Sequence, residues 1–402
     1  MRASSSLPLL LGFLTAVGPA ATDMYLPAFP AIEASFHAPV GSAQYTLAAW
    51  FAGLAVGQIT QGTLSDRLGR RLPLIVSTAL FTASCVACAL APSILFLAAF
   101  RFVAAIAAAA SMVIPRAVVR DLADGHAAAI LMSRLMLVMG AAPILAPSIG
   151  GAVLAFGSWR WIFWVLTAYG LTALVLVSVF LPDTLPPAQR VRLSAAEQLR
   201  RYRRIVGERE FLTNSLVGGF GTFGFFAYLG GSSPVFIDGF GFTPSQFGLL
   251  FGGCAAGLIA CSQINARLLP HFGTFRLLRW AVLVDLGATA VLLGLALARV
   301  HHLLAVLAPL FVFVSVAGFV NPNATVGALS RHGAHAGSAS ALMGMGQFVL
   351  GAISGLLVGV LTDGTARGMA GLMLAGAIGM VVADRCRPRP YTASTLGTDS
   401  PE

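Results

Sequence analysis

The chain contains no lysine: all 25 of its basic residues are arginine, and acidic residues number only 15. Charged residues make up 10% of the 402, where soluble domains carry about 25%. Without lysine there is no phosphate-cradling loop of the G-x-x-x-x-G-K-[ST] kind, and G-x-S-x-G and H-E-x-x-H are missing as well. Enzyme activity and direct ATP hydrolysis are therefore not expected. No soluble signalling segment accompanies the apolar runs, which argues against a membrane sensor or scaffold. Cysteine is scarce: Cys85, Cys88, Cys254, Cys261 and Cys386 are odd in number and mostly sit inside apolar runs, so no disulfide framework is expected. The Cys85-x-x-Cys88 pair has no second pair and is surrounded by Val86, Ala87 and Ala89, the setting of inert buried thiols. His332 and His335 are too few for a metal site. No metal and no cofactor are expected.

What fills the chain instead is apolar: 57% hydrophobic residues and a mean hydropathy of +0.84 exclude a water-soluble fold. The net charge of +10 would suggest nucleic acid only if it formed one face of a soluble domain. Here the arginines sit in short loops, so no nucleic-acid partner is expected. A spanning helix needs about 20 apolar residues, and runs of that kind number twelve: 7–30, 43–63, 73–91, 95–116, 129–151, 160–181, 211–232, 245–266, 276–297, 303–327, 337–361 and 368–384. The expected fold is an all-α integral membrane protein of two six-helix halves, residues 1–181 and 211–384. A central loop, 182–210, joins them, and a tail, 385–402, follows. The first run continues past Asp23 with only Arg2 before it, so it is expected to be a span, not a cleaved leader. Alternate loops hold Arg67, Arg70, Arg71, Arg116, Arg120, the run from Arg190 to Arg209, Arg267 and Arg331, against Arg160, Arg299 and Arg367 on the other side. By the positive-inside rule both termini are expected in the cytoplasm. The central loop's Arg200-Arg201-Tyr202-Arg203-Arg204 cluster suits either a solvated linker or an interfacial helix on anionic membrane lipid.

Charges inside a membrane are rare because each costs at least ~2.5–3.5 kcal/mol on insertion scales. Asp23, Arg101 and Asp285 are such charges. Asp23 lies about seven residues from the end of span one and Arg101 about six residues into span four, both roughly 10 Å deep at 1.5 Å per residue. An Asp23–Arg101 pair facing a common cavity is the simplest way to hold both. Two readings stay open: a permanent pair that fixes packing, or a carboxyl that exchanges a proton as its surroundings change. Asp285, midway along span nine, has no evident partner. It suits a structural hydrogen bond or a second proton site.

The loop after span two reads Gly62-Thr63-Leu64-Ser65-Asp66-Arg67-Leu68-Gly69-Arg70-Arg71, which closely resembles the major facilitator signature G-x-L-x-D-R-x-G-R-[RK]. Gly62 permits close helix approach, Gly69 a tight turn, and Arg67 and Arg70 can latch carboxylates such as Asp121, beside Arg120. The Gly140, Pro143, Pro147, Gly150 and Gly151 run in span five resembles the motif of the drug:proton antiporters and suits a hinge between halves. Thr22-Asp23-Met24-Tyr25-Leu26-Pro27-Ala28, Arg116-Ala117-Val118-Val119-Arg120-Asp121, Asn321-Pro322-Asn323-Ala324 and Gly337-Ser338-Ala339-Ser340-Ala341-Leu342 with Gln347 are similar to the Bcr/CflA group of multidrug efflux transporters. The resemblance implies a twelve-helix facilitator fold and proton-coupled export of drugs or small organic metabolites from the bacterial inner membrane by a monomer. It also implies a coupling role for Asp23 with Arg101. Ala104 and Ala107 depart from the family's R-x-x-Q-x-x-G, which leaves cargo range open. So do two rival readings of the same fold, a proton-coupled importer and a narrow metabolite or amino-acid carrier. Tyr25, Gln44, Trp50, Phe223, Asn321, Asn323 and Gln347 are the candidate cavity lining, since mixed aromatic and amide walls accept varied organic ligands.

Overall fold

A bilayer offers the backbone no hydrogen-bonding partners, so a chain this apolar must satisfy its own amides in helices. The computed structural model describes residues 7–122, 125–190, 194–332, 335–362 and 365–388. Twelve crossing segments run up and down through these residues. The first half holds span one (Leu7–Ser35), two (Ser42–Leu68), three (Arg71–Ala89), four (Ile94–Leu122), five (Gly125–Phe156) and six (Arg160–Phe180). After a linker helix, Ala195–Gly207, come span seven (Arg209–Ser233, extended by a π-turn at Pro234–Gly239), and spans eight and nine within Pro244–Leu297. Span ten (Leu303–Leu329), eleven (Ala336–Leu361) and twelve (Ala366–Arg385) complete the second half. Spans two, four and five run a turn or more past their apolar stretches, because a helix need not end where the hydrocarbon does.

The two halves repeat one device. Span two turns into span three at Gly69 (φ 93°, ψ 175°), and span eight turns into span nine at Gly273 (φ 72°, ψ 161°). Both are left-handed positions that glycine takes without strain. A loop was expected over residues 267–275; helix instead continues past Pro270 and Gly273 alone makes the bend.

Span one is broken into segments Leu7–Thr15, Val17–Asp23, a 3-10 turn Leu26–Ala28 and Phe29–Ser35. Pro27 and Pro30 cannot donate to the carbonyls of Asp23 and Leu26, so the helix loosens immediately after Asp23. At its far end the buried Glu33 carboxylate accepts the N–H groups of Gly41 and Ala43 at 2.9 Å each, and so holds the left-handed Gly41 (φ 96°).

The halves meet along spans two with eleven and five with eight, and at one membrane face they touch through glycines. A methyl group on Gly248 would stand 2.8 Å from the Pro147 carbonyl, one on Gly151 2.6 Å from that of Pro244, and one on Gly359 2.8 Å from that of Gly41. Backbones can come this close only where no Cβ intervenes. At the other face, where the turns at Gly69 and Gly273 lie with most loop arginines, the halves part around a cavity of about 210 Å³ lined by both halves and by Gln198 and Tyr202 of the linker helix. The structure is thus closed at one face and cleft at the arginine-rich one.

The linker helix starts on a capping box: the Ser194 hydroxyl accepts the Glu197 N–H while the Glu197 carboxylate accepts the Ser194 N–H. Ile205 anchors the helix in a core with Phe211 and Leu278, while Arg200, Arg203 and Arg204 are exposed beside Leu199, 68% exposed. The Ser194 donors hold the Glu197 carboxyl below its ordinary value of 4.5. A depressed carboxyl stabilises the folded form above its unfolded value, and that contribution is lost as pH falls through the folded one. Protection of the Glu197 and Gln198 amides against hydrogen exchange should therefore hold from pH 7 to 5 and decline below pH 4.5, and Ser194→Ala, which removes the hydroxyl but keeps the backbone N–H, should weaken the dependence.

Candidate functional site

Because the helix loosens at Asp23, that side chain projects toward the second half. It lines a cavity of about 120 Å³ with Pro143 of span five, Phe225 and Tyr228 of span seven, Phe251 of span eight and Val314 of span ten. Tyr228 and Phe251 stack with ring centroids 5.4 Å apart. Among the described residues no hydrogen bond or ion pair reaches the Asp23 carboxylate, so a buried acid faces an aromatic wall at the seam between halves.

The expected Asp23–Arg101 pair does not form. Arg101 is 1% exposed and turns into the first half, where one Nη donates to the Ala21 carbonyl at 3.1 Å. Its guanidinium lies 4.1 Å from the Tyr25 ring centroid and 4.8 Å from that of Trp50, with Phe163 at 6.0 Å. Aromatic faces stabilise a desolvated cation by roughly 2 kcal/mol. The other Nη and the Nε have no hydrogen-bond partner. Ala104 and Ala107, both buried in the same core, leave room for this cage without adding a polar neighbour. Depth in the membrane is therefore shared by the two charges, but direction is not: Arg101 braces the turn before Asp23 through Ala21 and leaves the acid unpaired.

Tyr25 and Trp50 thus serve the arginine cage, and the Tyr25 hydroxyl is further tied to Thr46. Gln44 bridges the halves, its Nε2 donating to the Gly230 carbonyl at 3.1 Å. The buried Phe223 offers its carbonyl to Ser354 at 2.7 Å, joining spans seven and eleven. Phe51 of span two stacks on Phe226 of span seven at 3.7 Å, with Phe348 6.1 Å from Phe226; these rings carry an aromatic column across the seam. Gln347 lies close by, its Nε2 3.0 Å from where a Cβ on Gly218 would be. Two amides sit away from the seam, Asn323 lining instead a cavity of about 250 Å³ within the second half, with Glu210, Asn214 and Thr274. Asn323 donates to Asn265 Oδ1 at 2.6 Å and clamps span ten to span eight inside the second half, and Asn321 is exposed and lines none of the described cavities. Asp285 is buried on span nine, away from the seam, with Oδ2 unpartnered and only its carbonyl engaged, by Thr289 at 2.8 Å.

In span five, Gly140, Pro143 and Pro147 lie inside one helix. Gly150 packs against the backbone of Met24, next to the break in span one, and Gly151 against span eight. The run is where spans one, five and eight meet.

At the arginine-rich face the signature loop folds on itself. The nearly buried Arg70 pairs with Asp66 at 2.5 Å and Asp121 at 2.8 Å and donates to Ser65 Oγ at 3.0 Å. Asp183, just past span six, accepts the Arg70 N–H at 2.9 Å and pairs with Arg190 at 2.8 Å, while Thr184 donates to Asp121 at 3.0 Å. Arg67 and Arg120 are exposed at the same face. All partners of Arg70 belong to the first half or the start of the central loop, so the cluster ties spans two, three, four and six into one body. Gly62 is less constrained than expected: a methyl there would meet only Val113, at 3.6 Å, and close approach of span four falls instead at Gly53 and Gly57. The second half carries an equivalent knot that the sequence did not reveal. Asp384, at the end of span twelve, pairs with Arg279 of span nine at 3.0 Å and accepts from Arg387 Nε at 2.8 Å, and both guanidiniums lie over Phe275. Arg70→Ala would strand the largely buried Asp121 carboxylate, while the half-exposed Asp66 turns to water, and should lower unfolding stability by about 3 kcal/mol, read as an earlier thermal transition of the purified protein; Arg71→Ala, which loses one exposed bond to the Ser178 carbonyl, should change it little.

The Major Facilitator Superfamily profile covers residues 11–356. The chain belongs to the major facilitator superfamily. An uncharacterized MFS-type transporter, YdgK of Bacillus subtilis (strain 168), is 37% identical over 376 residues, 93% of each chain. A bicyclomycin resistance protein homolog of Haemophilus influenzae is 30% identical over 361 residues, 90% of each. The multidrug resistance protein MdtL of Escherichia fergusonii is 30% identical over 199 residues, 50% of each. Among solved structures, a D-xylose-proton symporter superposes with TM-score 0.75 at 17% identity over 93% of this chain and 96% of that one, which speaks to the fold alone. Within the superfamily the chain is of the Bcr/CflA type that its motifs resemble. The protein is a non-enzymatic membrane transporter.

Proposed function

We propose that this facilitator exports drugs or small organic metabolites across the bacterial inner membrane in exchange for protons, with Asp23 as the proton carrier. The arginine-rich face and both termini then lie in the cytoplasm, as the positive-inside rule requires. The observation that carries the reading is the Asp23 carboxylate: buried at the seam, unpaired, and placed on the one span whose helix is interrupted beside it. Cargo entering from the arginine-rich cleft would meet the aromatic column of Phe51, Phe226 and Phe348 and then the Tyr228–Phe251 wall. An acid without a protein counter-ion is free to hold a proton when cargo is absent and to release it when cargo arrives. Arg101, held by its cage, positions the break and does not neutralise the acid. Residues 1–181 and 211–384 would rock as two bodies about the seam, linked by 182–210, in the manner of paired repeats. Each returning proton supplies about 2.3 kcal/mol per 100 mV and about 1.4 kcal/mol per pH unit, sufficient to drive cargo uphill. The names of the two relatives called resistance proteins favour outward transport.

The test is drug-evoked proton loss from inverted membrane vesicles with an acidified lumen, using bicyclomycin and chloramphenicol as first compounds. Proton exit coupled to drug accumulation in the lumen supports the reading. Drug movement in the opposite direction, with the proton, would make the protein an importer.

A further inference from the structure

Two tyrosines inside the bundle have settled hydroxyls: that of Tyr25 is tied to Thr46, and that of Tyr169 donates to the Phe13 carbonyl. Tyr228 differs. It is 1% exposed, and its hydroxyl has no hydrogen-bond partner among the described residues; the Cys254 thiol of span eight lies close by, a weak donor and a weak acceptor. Burying an unmet hydroxyl is unfavourable, and phenylalanine, which stands at 223, 225 and 226 of the same helix, would fill this space without that cost. The ring is fixed by packing: it stacks on Phe251 with centroids 5.4 Å apart and meets Phe225 edge-on at 5.9 Å. Asp23 is the group it shares a cavity with. Both line the space of about 120 Å³ at the seam, Asp23 from the first half and Tyr228 from the second, and the charge of Asp23 acts on the Tyr228 hydroxyl. The rest of that lining is apolar, and Arg101 is turned away into its own cage. One unmet donor and one unmet acceptor thus face an otherwise apolar space from opposite halves.

We infer that Tyr228 is the hydrogen-bond donor to ionised Asp23, directly or across one bridging water, and so sets the pH at which the carrier gives up its proton. The inference deepens the export reading and rests on Asp23 as the proton carrier. The proton leaving Asp23 passes to water, while Tyr228 keeps its own and only shares it with the carboxylate. A donor in a low-dielectric space steadies the charged form of an acid. The bond joins the two halves when Asp23 is ionised and loses most of its strength when Asp23 is protonated. Tyr228 also forms, with Phe251, the wall that cargo meets, so one side chain connects cargo with proton release.

The test is an infrared pH titration of the detergent-purified full chain. The C=O stretch of protonated Asp23 is identified as the band that Asp23→Asn removes, and the pH at which half of it is lost is compared between the parent and Tyr228→Phe. That variant removes one oxygen and keeps the stacked ring, so it should fold. A hydrogen bond to a charged group is strong enough that its loss should move the midpoint up by about 1–2 pH units. Tyr169→Phe, which loses a hydroxyl away from the cavity, is the matched control and should leave the midpoint in place. A midpoint that Tyr228→Phe leaves unmoved or lowers overturns the inference, as does an equal shift in Tyr169→Phe, which would mark a general loosening. The second arm is the pH profile of drug-evoked proton release in inverted vesicles, which should move in Tyr228→Phe by the same amount and in the same direction. Drug-evoked release in the parent with no shift in either arm leaves the export reading standing and removes the role of Tyr228 alone. A shifted infrared midpoint with no drug-evoked release in the parent keeps the link between Tyr228 and Asp23 and removes the export reading. An Asp23 band that appears at no pH would mean an acid that never takes a proton, and both would fall.

Discussion

Asp23→Asn is expected to abolish drug-evoked proton release while leaving the protein folded and still able to exchange drug for drug. Asparagine keeps the shape and polarity of the side chain but cannot give up a proton. Transport steps that need protonation chemistry stop, and steps that need only rocking with cargo bound continue. Stability decides between the carrier and structural readings. A residue held in a permanent ion pair would, on neutralisation, strand its partner and destabilise the fold by about 3–5 kcal/mol. The Asp23 carboxylate has no such partner among the described residues, and the cation expected beside it is caged by Tyr25 and Trp50. The thermal midpoint of Asp23→Asn should therefore stay within about 3 °C of the parent. Counterflow in proteoliposomes and pH-gradient dissipation in inverted vesicles measure the two halves of the prediction. Loss of both activities with a large drop in midpoint would return Asp23 to a structural role and make Asp285 the next acid to test.

The fold was open to reading because a bilayer leaves few choices. Any run of about 20 apolar residues must be a helix, and the arginines sort the loops by side. Turn chemistry was legible at Gly69, where a tight turn was expected and a left-handed residue occurs. That Gly273 alone would bend an otherwise continuous helix between spans eight and nine was not legible. The site was legible in kind and not in arrangement. Counting along a helix places a residue in depth, so Asp23 and Arg101 came out level. The direction in which each points depends on the rotation of its span, which is set by neighbours remote in sequence. A helix turns about 100° per residue, so an offset of two residues turns a seam-facing charge into a core-facing one. For the same reason Asn323 looked like lining of the seam yet lies within the second half, its amide donating to Asn265. The knot of Arg279, Asp384 and Arg387 carries no signature spacing, because Arg279 is on span nine while Asp384 and Arg387 are at and just past the end of span twelve, brought together only by packing.

Closure of the face opposite the arginines rests on glycines, and Gly151→Val is expected to hold that face open. Any Cβ at Gly151 would lie 2.6 Å from the Pro244 carbonyl, and because the clash is with backbone, no rotamer change relieves it. Overpacking of this kind costs about 1–3 kcal/mol. Gly151 belongs to one half and Pro244 to the other, so the penalty falls on the closed arrangement alone and spares the folding of each half. A bias of 1–3 kcal/mol moves a two-state equilibrium about 5- to 150-fold. A cysteine placed at Gln44, a buried position whose side chain bonds to Gly230 across the same seam, reports the change. Its labelling by a membrane-impermeant maleimide from that face should rise by a factor in this range when Gly151→Val is added, and drug efflux should fall in step. Gly287→Val is the matched control, since nothing lies within 4 Å of a Cβ there. Unchanged labelling in Gly151→Val would mean that spans five and eight part without opening a path to Gln44, and closure would then depend on spans two and eleven, where Gly41 and Gly359 make the corresponding contact.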